Sequence, residues 1–240
     1  MSEMRAIILA GGKGSRLKPY TTLIPKPLVP IGGECSVLEL VIQQLAKEGF
    51  SHITLAVNHL VDLVMAYFGD GKKWGVLIDY SLEDKPLNTV GPLTLIGDLP
   101  ENFLVMNSDV LCDLDLKKFY DEHVKNKDHI SVAACSRESV IDFGVLKYDS
   151  NGYLTEFHEK PVYRFDVSMG VYCFNRSVIK KIPKAQPYGF DQLMLDGIKN
   201  KEKIRIRAFG GFWLDMGRAQ DYQYADEHYT EIKKKLGLKA

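Results

Sequence analysis

Apolar residues along this chain fall in short dense runs. Between the runs lie stretches where apolar positions recur every three or four residues. MRAIILA (residues 4–10) is nearly unbroken in its apolar character, the pattern of a parallel strand buried on both faces. Ser36 and Glu39 make an S-x-x-E capping box ahead of a periodic stretch, which predicts a helix over 36–49 closed by Gly49. HITLAV (52–57) reads as a second strand, and Asn58 as the N-cap of a helix ending at Gly69. VLIDYSL (76–82) is strand-like, TVGPLTLI (89–96) a short helix, and FLVMN (103–107) a buried strand running into Ser108 and Asp109.

That alternation predicts an α/β fold, a Rossmann-like open mixed sheet with helices on both faces. Such sheets bind ligands outside the carboxyl ends of their strands. Gly11 and Asp109 each follow such an end, so they are expected to meet although far apart in sequence. The second half changes character. Short strands are expected over 129–136, 143–148, 153–157 and 168–174, separated by turns such as DSNG (149–152), with helices near 189–199 and 218–236. With no repeat, low-complexity tract or Pro/Gly/Ser-rich linker, residues 1–240 read as one domain with a β-rich second lobe.

Composition narrows the function. Of 240 residues, 45% are hydrophobic and 26% charged, an ordinary globular balance. Lys+Arg and Asp+Glu both total 31, so bulk charge does not hold this chain to nucleic acid or to an anionic membrane. Cys35, Cys112, Cys135 and Cys173 make no CxxC pair, and they read as buried thiols in a cytoplasmic protein. The apolar part of MSEMRAIILAGG is too short for a signal peptide, and no run reaches the length of a membrane span. His52, His59, His123, His129, His158 and His228 lack metal-ligand spacing and read as structural or surface residues. The 12 tyrosines and 11 phenylalanines are scattered, which argues against stacking on nucleic acid.

The stretch LAGGKGSRLKPYTTLIPKP (9–27) carries the chemistry. Gly11, Gly12 and Gly14 allow close approach of backbone to a ligand, and successive N–H groups make an anion-binding nest. Neither GxxxxGK[ST] nor GxGxxG is present, and Pro19 interrupts any immediate helix. A dehydrogenase reading also needs an acidic residue ending the second strand, where Asn58 stands. Arg16 directly follows the loop. Lys26 lies between Pro25 and Pro27, on a stiff extended segment. Asp109 and Asp215, the latter in GFWLDMG, would each alone read as a turn or cap residue. As a pair at strand ends they suit a magnesium ion, which takes a few carboxylates, waters and substrate phosphates. Asp113 and Asp115 read as turn and cap residues of the next helix. Bare backbone and two fixed cations suit a nucleoside triphosphate and a second phosphate that attacks it.

GGKGSRLKP (11–19) and PKPL (25–28) closely resemble the signature of the sugar-phosphate nucleotidyltransferases. LNTVGPL (87–93), NSD (107–109), FGV (143–145), EKP (159–161), MGVY (169–172) and WLDMG (213–217) resemble later segments of that family, in order. The resemblance implies the nucleotide-diphospho-sugar transferase fold, with a nucleotide-binding half (1–128) and a sugar-phosphate-binding half (129–240). It implies transfer of a nucleotidyl group from a nucleoside triphosphate to a sugar 1-phosphate. Leu9, Ala10, Gly11, Gly12, Gly14, Ser15, Arg16 and Gly91 would face the nucleotide. Lys26, Gly144, Glu159, Lys160 and Gly170 would face the sugar phosphate. Arg16, Lys26, Asp109 and Asp215 would be catalytic, with Mg2+ on Asp109 and Asp215.

Asn88, Val90, Ser108 and Ser168 depart from the family's usual residues, three of them near base or sugar. Arg218, where threonine is common, resembles the guanylyltransferase-like branch, so GTP is the expected donor, with CTP, UTP or dTTP as alternatives. A reading of another class is an inactive nucleotide-sugar-binding regulatory subunit. It would lack equivalents of Arg16, Lys26, Asp109 or Asp215, and all four are present. The expectation is a catalytic core alone, without a C-terminal β-helix, and the resemblance is compatible with a homodimer through the second half.

Overall fold

A computed structural model of the chain describes residues 4–239 apart from 13 and 59. Its strands, in chain order, are β1 (Arg5–Leu9), β2 (Pro30–Ile31), β3 (Cys35–Ser36), β4 (His52–Val57), β5 (Leu77–Leu82), β6 (Asn102–Asn107), β7 (Val110–Cys112), β8 (Ile130–Val140), β9 (Val145–Tyr148), β10 (Leu154–His158), β11 (Val162–Asn175), β12 (Ile204–Phe209) and β13 (Trp213–Asp215). Its α-helices are α1 (Val37–Lys47), α2 (Val61–Phe68), α3 (Leu116–Asn126), α4 (Arg176–Ile179), α5 (Phe190–Lys199), α6 (Ala219–Glu227) and α7 (Tyr229–Lys235).

Seven strands form the central sheet in the order β12-β8-β11-β6-β1-β4-β5. β1 pairs in parallel with β4 and β6, β4 with β5, and β8 with β12. β11 runs antiparallel between β6 and β8. Side chains alternate across the sheet with period two. Ala6, Ile8, Leu104 and Met106 enter one core with α1, α2, α3 and α7, whereas Ile7, Phe103 and Val105 enter a second core with α4 and α5. Helices therefore cover both faces, as strands buried on both faces require.

β8, β11 and β12 of the second half complete the same sheet as the first half. β8 and β11 are longer than predicted because their mixed, solvent-facing outer halves continue the ladder from Val140 and Val162. Outside the central sheet, β9 and β10 pair with each other as a two-stranded ribbon. β12 escaped the sequence reading because it is an edge strand that leaves Arg205 exposed. The predicted helix over 218–236 breaks at His228 into α6 and α7. TVGPLTLI holds only a 3-10 turn, Gly91–Leu95.

Two predicted caps also change. Ser36 Oγ accepts the Glu39 N–H at 3.2 Å, but the Glu39 carboxylate turns instead to Tyr67, Lys73 and Trp74, so half the capping box forms. Asn58 does not cap α2, because its amide donates to the Glu83 carbonyl at 2.8 Å. Asp115 does cap α3, accepting from Lys118 N–H at 2.7 Å, and Asp113 accepts from Phe212 N–H at 2.7 Å. Lys233, in the lysine run at 233–235, reaches Glu34 at 3.1 Å. The four cysteines are free thiols, and Cys112, Cys135 and Cys173 are buried. No helix among the described residues is long and apolar enough to cross a membrane. His59 lies outside the described residues.

Candidate active site

β1, β4 and β6 all run in one direction, so their carboxyl ends share one edge. A cleft of about 450 Å³ opens there. Leu9, Gly11, Gly12, Arg16, Lys26 and Asp109 line it, uniting residues that the sequence reading picked from separate motifs.

The glycine loop is shaped to present Lys26. Gly14 has φ +62°, and a β-carbon there would come within 2.8 Å of Thr21 and 3.1 Å of Lys26. Only glycine adopts that conformation at no cost in that space. The Thr21 hydroxyl donates to the Gly14 carbonyl at 2.7 Å, fastening the loop. A 3-10 turn over Ser15–Leu17 then carries Arg16, and a second over Lys26–Leu28 begins at Lys26. The Lys26 ammonium donates to Asp109 Oδ2.

Asp109 follows β6, and Asp215 ends β13. β13 pairs antiparallel with β7, setting Asp215 opposite Val110, and Met216 N–H donates to the Asp109 carbonyl at 3.0 Å. The two carboxyl groups therefore face each other. Burial, then the neighbouring Asp109 charge and hydrogen bond, push the Asp215 carboxyl up to about 6, while Lys26 and Arg16 oppose the shift. Arg16 reaches this pair: a β-carbon at Gly217 would lie 3.1 Å from Arg16 Nη2 and 3.2 Å from Asp215 Oδ1. Two crowded carboxylates are the donor set a hard divalent cation relieves, with waters and phosphates completing its shell. Among the described residues no group of three or more His, Cys, Asp or Glu side chains is placed to hold a metal.

Other expected residues lie around this centre. Ala10 is buried and donates its N–H to the Ala56 carbonyl at 2.8 Å. Gly91 sits in its 3-10 turn, with its N–H bonded to Tyr188 O at 3.0 Å. Gly170, at φ +76°, lies so close to Asn107 that a β-carbon would come 2.6 Å from its amide nitrogen. Gly144, Glu159 and Lys160 belong to the β9–β10 ribbon region and do not line the cleft. Lys160 pairs there with Asp142 at 2.7 Å. Arg218 is exposed at the start of α6.

Asn88 and Asn107, already marked by the family resemblance, also line the cleft, as do Asn58 and Glu83, whose side chains the sequence reading gave no site role. Glu83 sits opposite the glycine loop, its Oε1 2.7 Å from where a Gly11 β-carbon would stand. Its Oε2 accepts the Leu87 N–H at 3.0 Å, and burial pushes its carboxyl up. Asn88 takes φ +62°, which asparagine tolerates better than most residues. The available signal was position: Asn58, Glu83 and Asn107 each stand at or just past the carboxyl end of a predicted parallel strand.

Known proteins resemble this chain over most of its length. A family model described as nucleotidyl transferase matches residues 5–232. A mannose-1-phosphate guanyltransferase of Aspergillus fumigatus is 33% identical over 228 residues, covering 91% of this chain and 62% of that protein. The mannose-1-phosphate guanylyltransferase catalytic subunit beta of Dictyostelium discoideum is 34% identical over 226 residues, with the same two shares. This chain thus spans 62% of the length of these curated relatives. The crystal structure of HddC from Yersinia pseudotuberculosis aligns with TM-score 0.73 and 25% identity, over 94% of this chain and 99% of that one. Matched by that model across nearly its whole length, the chain belongs to the nucleotidyl transferase family.

Proposed function

We propose that this protein transfers GMP from GTP to a sugar 1-phosphate, releasing pyrophosphate. The observation that carries the reading is one cleft lined by Gly11, Gly12, Arg16, Lys26 and Asp109, with Asp215 set against Asp109. A phosphate oxygen of the sugar 1-phosphate attacks the α-phosphorus of GTP. A new P–O bond forms, and the bond to the β-phosphate breaks. The attacking group is already ionised near neutral pH, since a phosphomonoester's second pKa is about 6. No general base is required. The chain's task is to bring two polyanions into line and to neutralise the charge that builds between them. Loop N–H groups and Arg16 hold the triphosphate, and Lys26 turns from Asp109 to the reacting phosphates. Asp109 and Asp215 would hold Mg2+, which supplies Lewis-acid neutralisation of phosphate charge when bound.

Glu83 favours guanine. The Watson–Crick edge of guanine offers two adjacent donors, N1–H and the N2 amine, to a carboxylate facing the loop at Gly11. Uracil and thymine offer one donor flanked by two carbonyls, which a carboxylate repels. A site built for donors leaves its buried acceptor unpaired with the wrong base. The test is pyrophosphate release with GTP, CTP, UTP, dTTP and ATP against a panel of sugar 1-phosphates. GTP is expected to lead, and Glu83→Gln to lower kcat/KM for GTP by about tenfold or more. A larger rate with another triphosphate would overturn the base assignment.

A homodimer is part of the proposal. In the β9–β10 ribbon, Leu146 pairs with Phe157 and Tyr148 with Leu154, all four side chains on one face and all exposed. Phe143, Tyr163 and Phe165 are exposed too. A two-stranded ribbon is marginal alone, and an apolar patch of this kind marks an interface. The formal charge of zero leaves no net repulsion against a second copy.

A further inference from the structure

Arg16 and Lys26 stand on short 3-10 turns, Ser15–Leu17 and Lys26–Leu28, whose own hydrogen bonds hold them weakly. Contacts from elsewhere in the chain must fix them. Leu17, beside Arg16, and Val29, just past the Lys26 turn, are buried with Tyr222 of α6 in a small apolar cluster apart from the two cores. The Tyr222 hydroxyl donates to the Pro30 carbonyl at 2.7 Å, and its ring lies 5.1 Å from that of Tyr20 between centroids. One side chain thus meets both loop segments. It stands in the first turn of α6, its N–H donating to the Arg218 carbonyl at 3.1 Å, and α6 starts at Ala219, shortly after Asp215 ends β13. The helices carry the bracing onward along β2 and β3. The Gly32 N–H donates to Asp226 at 2.7 Å, and the Tyr229 hydroxyl to Glu34 at 2.9 Å.

Resting on the transfer reaction above, we propose that Tyr222 is a positioning residue for it, holding the turns of Arg16 and Lys26 in fixed relation to the strand end that carries Asp215. Tyr222 does not line the cleft and touches no substrate. It acts through the cations. Its ring fills the space between Leu17 and Val29, and its hydroxyl fastens the chain just past Lys26. Charge neutralisation in the transition state depends on where the cation stands, and a misplacement of about 1 Å costs on the order of a hundredfold in rate.

The test is a double-mutant cycle on kcat, with GTP, magnesium and the acceptor that wild type turns over best. Tyr222→Leu is expected to lower kcat by about tenfold or more. In a Lys26→Ala background the same change is expected to cost less than about threefold, because a residue that acts through Lys26 then has nothing left to position. A purely structural role would give the same loss in both backgrounds. Phe119→Leu, in the core under α3 and away from the cleft, is the control for a truncated buried ring, and it is expected to lower the urea midpoint while leaving kcat unchanged. Should Tyr222→Leu fail to fold, Tyr222→Phe removes only the bond to Pro30 and carries the same cycle. It is expected to lose roughly threefold in kcat, and close to nothing in Lys26→Ala. Wild-type kcat in the Tyr222 variant, or equal losses in both backgrounds, would overturn the assignment. If wild-type protein turns over no acceptor, the transfer reading itself falls. Backbone hydrogen exchange over residues 15–31 then decides the brace separately. It is expected to speed up by about tenfold in Tyr222→Leu and not in Phe119→Leu, and unchanged exchange would end the proposal.

Discussion

At the scale of single residues, the account rests on Lys26. Its ammonium is held by Asp109 beside Asp215, at the mouth of the glycine loop. Lys26→Ala is expected to lower kcat/KM by roughly 10²-fold or more, about 2.7 kcal/mol of transition-state stabilisation. Steady-state kinetics on a variant with wild-type circular dichroism checks this, and near-native turnover would refute the role. Lys26 was legible in the sequence because two prolines flank it, and Arg16 because it abuts three glycines. Asp109 and Asp215 were legible as acidic residues at the ends of apolar segments. Glu83 was not. It follows LIDYSL as an ordinary charged residue, and only the placing of β4 between β1 and β5 sets it against Gly11. A single polar residue carries no local mark of the partner that folding gives it.

At the scale of elements, the structure ties stability to two polar contacts. Ser36 caps α1, so Ser36→Ala is expected to cost about 1 kcal/mol in chemical denaturation. The second contact lies on α3. His123 is fully buried, its Nδ1 2.9 Å from the Ser131 hydroxyl of β8. Burial pushes this histidine down from 6.5 to about 4. Its folded value lies below its unfolded value, so the unfolded chain takes up the proton first. The native state is then penalised as pH falls from about 6.5 to about 4, by up to about 3 kcal/mol. Urea midpoints for wild type and His123→Gln at pH 7 and pH 5 check this. Wild type is expected to lose more stability than the variant over that interval, and equal losses would refute it. The sequence revealed elements wherever a strand is buried on both faces or a helix is amphipathic. It concealed β12 and the outer parts of β8 and β11, because solvent-facing strands carry mixed side chains that match no burial pattern.

At the scale of the whole molecule, the open α/β architecture was legible, and so was the meeting of Gly11 with Asp109 across it. What escaped was the sharing of one sheet by both halves, since β11 inserts between β6 and β8 by long-range pairing that no local pattern encodes. The exposed apolar ribbon gives a prediction at this scale. Sedimentation velocity should find a dimer, and Leu146→Glu with Phe157→Glu should dissociate it. A monomer in the unaltered protein would refute the second copy as the partner. The central claim is that two substrates exchange a nucleotidyl group at the Asp109–Asp215 centre. Its most direct measurement follows α-phosphate-labelled GTP with magnesium, with and without sugar 1-phosphate, in wild type and in Asp109→Asn and Asp215→Asn. The account expects label to enter a GDP-sugar, with one pyrophosphate per transfer, only when acceptor is present, and expects both variants to lose nearly all of it. Release of phosphate or pyrophosphate from GTP without acceptor, or full transfer by both variants, would contradict it.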